Sequence, residues 1–283
     1  SRGVKQCIFH SLYVYCVDGI PKPMSERTKE MFRHVEVVLK ALDLLDCFEK
    51  HPALTLKDLV SLTRMTRGRV TRLAGTLESR GYLLFAPESK EFRLGPRLLT
   101  LGKVFETHNT MILLARPILK ELVRLTGEHS SLYVLDGLAR VALAREKGTH
   151  EVSYSVAEGQ RMELYAGAGG KVLLAFAPPE TQRRGMARGS LKGLTSKTII
   201  APRSLRRELE RIHSTGYAVS DGERVAEVWS AAAPVFDHTH RVCAAIGITG
   251  PRYRIPGQVQ SKYIAQVVEK ARELSLRLGW QEG

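Results

Sequence analysis

The chain has 283 residues, 43% hydrophobic and 25% charged, which is the mix of a globular protein and excludes wholesale disorder. No stretch approaches the ~20 consecutive apolar residues of a membrane-spanning helix, so a soluble chain of about two domains is expected. Lys plus Arg number 43 against 29 Asp plus Glu, a net charge of +14 that points to a polyanionic partner, nucleic acid first.

The excess is +6 over residues 1–108 and +8 over the rest, so composition alone does not place the anion. The four cysteines, Cys7, Cys16, Cys47 and Cys243, form no C-x-x-C pair. That pattern excludes a zinc ribbon or thioredoxin-type motif and suits a reducing cytoplasm.

Residues 1–30 read as a disordered leader, with Met24 a candidate biological start. From Met31, Val35, Val38, Leu39, Leu42 and Leu45 recur at three and four, the stripe of an amphipathic helix that His51-Pro52 ends. A second short helix follows Thr55, a plausible N-cap, and buries Leu56, Leu59 and Val60. After a tight connection at Thr63 to Met65, a third helix starts at the N-cap Thr66 and runs to Arg80, where Gly81 stops it. Two short strands, Tyr82–Phe85 and Glu91–Leu94, complete the order of a winged helix-turn-helix over residues 31–95.

The third helix carries the chemistry. At 100° per residue, Val70, Leu73, Ala74 and Leu77 form its core stripe. Gly68, Arg72, Gly75 and Ser79 lie opposite, and Arg69 and Thr71 flank that outer face. A recognition helix needs this division: the inner stripe packs, and the outer N-terminal residues reach base edges. Arginine suits guanine because its forked guanidinium meets O6 and N7 together. Across residues 55–80 the basic side chains outnumber the acidic ones by four, enough to neutralise phosphates. The expected DNA contacts are Thr66, Arg67, Gly68, Arg69, Thr71 and Arg72, with Lys90 and Arg93 from the wing.

Residues 96–127 read as linker helices with one apolar side, expected to pack against another subunit, and Pro117 should kink or restart the second. From residue 128 the pattern turns to short strands with interspersed helices. Asp136-Gly137 is a hairpin signal, and a glycine-rich stretch from Ala166 to Lys171 leads a helix to Phe176. A helix near Ser204 to Ser214, three strands (Tyr217–Ser220, Ser230–Phe236, Val242–Thr249) and a long amphipathic helix follow. This α+β order suits a small-molecule sensor built on an antiparallel sheet.

The chain resembles the IclR family of bacterial transcription regulators over most of residues 33–280. The first half carries the likeness at Leu54-Thr55-Leu56-Lys57-Asp58-Leu59, Val70-Thr71-Arg72-Leu73 and Leu77-Glu78-Ser79-Arg80-Gly81-Tyr82. The second half carries it at Ala168-Gly169-Gly170-Lys171, Gly216-Tyr217-Ala218, Ala233-Pro234-Val235-Phe236-Asp237 and Ala244 through Pro251. The resemblance implies a winged-helix DNA-binding domain, a helical linker and a GAF-like effector-binding domain over residues 128–283. It implies a homodimer or tetramer on a palindromic double-stranded DNA site, under control of a small molecule.

By that resemblance the effector pocket draws on Met162, Leu164, Ala168 and Gly169, on Ser220 and Asp221, and on Ser230, Gly247 and Thr249. Backbone amides at Ala168 and Gly169 would hold a carboxylate, which is sensible because a helix N-terminus is an anion site. Ser220 stands where an acidic residue is expected and Gly247 where a serine is expected. With fewer side-chain hydrogen bonds, the effector shifts from a small 2-oxo acid toward a larger or more apolar carboxylate, such as an aromatic acid.

Other constellations fail. Tyr165 and Val172 stand where a phosphate-binding loop needs Gly and Ser or Thr. Asp237, His238 and His240 sit in an expected turn, where polar residues are usual, so no metal, cofactor or catalytic set is assigned. Two other functions stay open on the residues alone: a small-molecule enzyme with an appended regulatory helix-turn-helix, and a winged helix that binds protein.

Overall fold

The computed structural model describes residues 35–150, 156–187 and 189–281. The expected leader, the Met24 start and the first turn of helix from Met31 lie outside them. The chain divides into two compact units between His108 and Asn109.

The first unit opens with α1 (Glu36–Asp46) and a single 3-10 turn. A two-residue strand, β1 (Leu54–Thr55), leads into α2 (Leu56–Thr63). Thr55 and Asp58 form a reciprocal capping box at the start of α2, each side chain bonding the other's backbone N–H. Arg64, in the left-handed region at φ 55°, turns the chain out of α2 toward α3 (Arg67–Ser79). Thr66 holds the N-cap position of α3, but its side chain makes no capping bond. The hairpin β2 (Leu83–Ala86) and β3 (Glu91–Leu94) follows, and then α4 (Pro96–His108). The small antiparallel sheet has the order β1-β3-β2, so the expected two-stranded wing has a third strand. Leu44, Phe48, Leu59, Val70, Leu73 and Leu83 form the core of this unit.

The second unit begins with α5 (Thr110–Thr126), capped by the Asn109 side chain on the Ile112 N–H at 3.1 Å. The helix runs through Pro117 without restarting there. Leu113 and Pro117 are both exposed, so the carbonyl that the proline leaves unpaired lies on the solvent side. Of the two helices in residues 96–127, the second packs on its own unit rather than presenting its apolar face to another subunit. The apolar face of α5, including Ile112, Ile118, Leu119 and Leu122, is core of the second unit, whereas α4 has no buried residue.

Six strands form one antiparallel sheet. They are β4 (His129–Asp136), β5 (Ala139–Glu146), β6 (Arg161–Glu163), β7 (Ala218–Asp221), β8 (Val228–Phe236) and β9 (Val242–Pro251). Their order is β6-β5-β4-β9-β8-β7. α5 and α9 (Gly257–Arg277) cover one face, over Leu132, Trp229, Ala233 and Ile246. α6 (Ala168–Ala175) and α8 (Pro202–Thr215) cover the other, over Tyr133, Ala142, Ala232 and Ala245. A short helix, α7 (Pro179–Gly185), follows α6. The three-layer stack sets the N-terminus of α6 directly over the sheet, and the pocket forms there.

Candidate nucleic-acid interface and effector pocket

On α3, Val70 and Ala74 are fully buried and Leu73 nearly so, which fixes the helix on α1 and α2. The opposite face leaves Arg67, Gly68, Thr71, Arg72 and Gly75 exposed. Arg69 departs from the expected outward set. Its Nη2 pairs with Glu36 Oε1 on α1 at 2.9 Å, so it ties α3 to α1. The Thr71 hydroxyl donates to the Arg67 carbonyl at 2.9 Å and keeps its lone pairs on the outer face. Lys90, exposed at φ 55° in the turn between β2 and β3, and the exposed Arg93 place two more cations on the hairpin. Arg93 leans on Glu91 at 3.3 Å. Thr66 is exposed at the head of α3.

In the second unit a cleft lies between the sheet and the start of α6. Gly167 caps α6 at φ 82°, a conformation open to glycine that aims the first amides of the helix into the cleft. Ala168 N–H approaches Ser230 Oγ at 3.5 Å, and Gly167 N–H donates to Glu223 at 3.1 Å. Glu223 is in turn bonded by Lys171, which also donates to Glu208 at 3.0 Å and to the Val219 carbonyl at 2.8 Å. Lys171 is buried, so this cage locks α6 to α8 and β7 and holds the amides in place. Burial pushes the Glu208 carboxyl up, but bonds from Arg211 and Lys171 more than offset this and hold it below its usual range. Tyr133, Arg140 and Arg224 complete the polar walls of the cleft.

Residues 37–87 match the family described as the IclR helix-turn-helix domain. Residues 105–276 match that described as the bacterial transcriptional regulator IclR C-terminal. The chain belongs to the IclR family. It is 31% identical to the HTH-type transcriptional regulator BhcR of Paracoccus denitrificans, over 83% of this chain and 85% of that one. An IclR transcriptional regulator from Alicyclobacillus acidocaldarius superimposes with a TM-score of 0.78 at 25% identity, covering 86% of this chain and 99% of that one. An IclR homologue from Microbacterium hydrocarbonoxydans, solved with 4-hydroxybenzoate, has the same fold (TM-score 0.72, 21% identity, 86% and 98% covered). The exposed face of α3 is thus that of a helix-turn-helix DNA-binding domain, and the cleft lies in the effector-binding domain of a transcriptional regulator.

In this IclR-family chain the cleft brings together Ala168, Gly169, Ser220, Ser230, Gly247 and Thr249 of the residues expected there. Met162, Leu164 and Asp221 do not line it. Met162 is buried on β6 with its sulfur 3.8 Å from Arg140 Nη2, and Leu164 packs in the core beneath α6. Asp221 follows Ser220 on β7 and therefore points to the opposite side, where it pairs with Lys197 at 3.1 Å and with Arg252. Sequence reasoning missed Tyr133, Arg140 and Arg224. The signal for Arg140 was present, because it shares alternation with the buried Ala142 on β5.

The Asp237 carboxylate accepts from Thr239 N, Thr239 Oγ1 and Arg241 N, which makes it the internal cap of the β8–β9 turn. Among the described residues no group of three His, Cys, Asp or Glu side chains is arranged to hold a metal, and no helix is long and apolar enough to cross a membrane.

Proposed function

We propose that the regulator binds a palindromic promoter site as a homodimer or tetramer in the cytoplasm, without catalytic activity, and that a carboxylic acid in the cleft sets its affinity for that site. The carrying observation is the pairing of an outward Arg67–Thr71–Arg72 face on a packed helix with a cleft of amides, hydroxyls and guanidinium groups. The first is suited to a duplex groove and the second to an organic anion. Exposed apolar side chains on α1 (Val37, Leu39, Leu42) and α4 (Leu99, Leu101, Val104) support assembly through the first unit. The apolar walls from Val156, Val225 and Val228 favour an aromatic or similarly apolar acid over glyoxylate.

Fluorescence anisotropy with DNA from upstream of the protein's own gene tests the reading, against scrambled DNA, at two salt concentrations, with and without an acid library. Specific, salt-sensitive binding that an aromatic acid alters is the expected result. Equal weak binding to both DNAs under every condition overturns the DNA reading. Tight binding of glyoxylate or pyruvate with no response to aromatic acids overturns the choice of effector.

A further inference from the structure

The positive charge of the second unit is concentrated in one segment. Residues 180–211 carry nine Lys and Arg against three Glu and no Asp, a net of +6, whereas the rest of residues 109–283 nets only +2. The fold places part of this segment on one face. Leu205, Leu209 and Ile212 are buried and fix α8 on α6, so Arg203, Arg206 and Arg207 stand exposed at helical spacings of three and four. Arg183 of α7 meets them across an open groove, which Met186 and Glu210 also line.

This charge is not offset within the fold. Arg183 pairs with Glu180. Glu208, on the same helix as the other three, is taken by Lys171 and Arg211. Among the described residues Arg203, Arg206 and Arg207 form no ion pair. Like charges three and four apart on a helix repel, and Arg203 sits in the first turn of α8, where the helix dipole disfavours a cation. A row of anions laid along the face would relieve that repulsion.

The face lacks the apolar anchor that a protein partner would use. Among the described residues between 179 and 215, the large hydrophobics left exposed are Leu194 and Ile200, and both lie in the segment between α7 and α8. Exposed guanidinium groups without such an anchor suit a polyanion met through its charge alone. As a helix-turn-helix regulator, the chain already has one, duplex DNA. Once the first unit holds a duplex, a weak contact from the second forms at high effective concentration.

We propose that the arginine face of α7 and α8 is a second DNA-contact surface, which takes the phosphate backbone of duplex lying beyond the site that α3 reads. It carries no sequence information. Its role is to raise affinity for the site when that site lies in continuous DNA.

The test is fluorescence anisotropy of the full chain on two duplexes sharing one specific site from upstream of its own gene. One is trimmed to the shortest length that keeps specific binding. The other carries about 20 further base pairs of unrelated sequence on each side, ~68 Å at 3.4 Å per pair. The wild type should bind the longer duplex about 10-fold tighter, with a log–log salt slope steeper by about 2–3, as expected for three phosphates at ~0.9 each. Arg203→Gln, Arg206→Gln and Arg207→Gln together should remove both differences and leave affinity for the short duplex unchanged. Arg206→Gln alone should lower the slope difference by about 1, and it carries the test if the triple variant does not fold by circular dichroism. Lysine at the same three positions should keep most of the gain, because a phosphate contact needs the charge more than the fork. Lys120→Gln, Lys147→Gln and Lys262→Gln together remove the same charge from exposed positions elsewhere in the second unit and should leave both differences in place. A wild type with equal affinity and slope on the two duplexes overturns the proposal and returns the face to an acidic protein partner. So does an arginine variant that keeps both differences, or one that weakens both duplexes alike. Equal losses in the arginine and lysine variants would show bulk charge at work, and would overturn the assignment to this face.

Discussion

At the residue scale, Arg72 and Arg69 separate two uses of the same side chain. Arg72 stands exposed on the outer face of α3, whereas Arg69 is committed to Glu36. Arg72→Ala should weaken specific DNA binding by about 1–3 kcal/mol and relax base preference at one position, read by anisotropy on single-base operator variants. Arg69→Ala should act mainly on stability. An unchanged affinity in Arg72→Ala removes it from base reading. The helical period in the sequence could rank both arginines as outer-face residues, but the partner of Arg69 is 33 positions away, and period carries no such information. For Arg140, alternation with Ala142 sets the face, but its burial depends on the covering helix, which lies elsewhere in the sequence. His129 provides a pH test. It is buried, and its Nδ1 accepts the Gly148 N–H at 2.8 Å. Burial, then the nearby Arg145, push its pKa down to about 4. Between about pH 6.5 and 4 the unfolded chain holds a proton that the folded one does not, so stability must fall as pH drops through that window. One proton sets a limit of about 1.4 kcal/mol per pH unit. Urea midpoints of wild type and His129→Gln over this range should converge toward the acid end; parallel curves would remove His129 as the cause.

At the element scale, α3 contains two glycines that its own packing does not require. A Cβ on Gly68 or Gly75 would meet nothing within 4 Å. Glycine in a helix interior costs about 0.5–1 kcal/mol relative to alanine, so the unit is less stable than it could be. Gly75 lies on the Arg72 face, where the helix backbone would approach a duplex. Gly75→Ala should therefore raise the thermal midpoint and lower affinity for specific DNA several-fold, measured by calorimetry and anisotropy on one preparation. A rise in both would show the glycine to be without a role in binding. Most of the helices were legible in the sequence because they carry a stripe at three and four and a cap or stop at an end, as at Thr55 and Gly127. β1 was not, because two residues cannot show alternation; it exists through its pairing of Leu54 with Phe92 and Thr55 with Glu91. β6 was missed for similar reasons at three residues, and α7 because Pro178-Pro179 reads as a break rather than as a helix start. α5 was assigned to a linker because an amphipathic stripe shows that a face is buried, not what buries it.

At the scale of the whole molecule, the proposed regulation requires the two units to communicate, and the proposed assembly can be tested first. α4 has no buried residue, so charged substitutions on its apolar side test association without disturbing a core. Leu99→Glu with Val104→Glu should shift sedimentation toward smaller species and lower affinity for a two-half-site DNA far more than for a single half-site. An unchanged assembly state would move the interface elsewhere. Coupling between the cleft and α3 has a stricter requirement. An effector shifts DNA affinity only by binding one arrangement of the protein better than another. Thermodynamic linkage then makes the effect reciprocal: if an acid changes DNA affinity by a given factor, DNA must change acid affinity by the same factor. Typical coupling of 1–3 kcal/mol corresponds to about 5- to 150-fold, well within reach of titration. Measuring acid affinity with and without saturating operator DNA, and DNA affinity with and without saturating acid, closes the cycle. Equal factors establish that the acid and DNA are linked through the protein. A change in DNA affinity with no reciprocal change in acid affinity would mean that the acid acts on the DNA rather than on the protein.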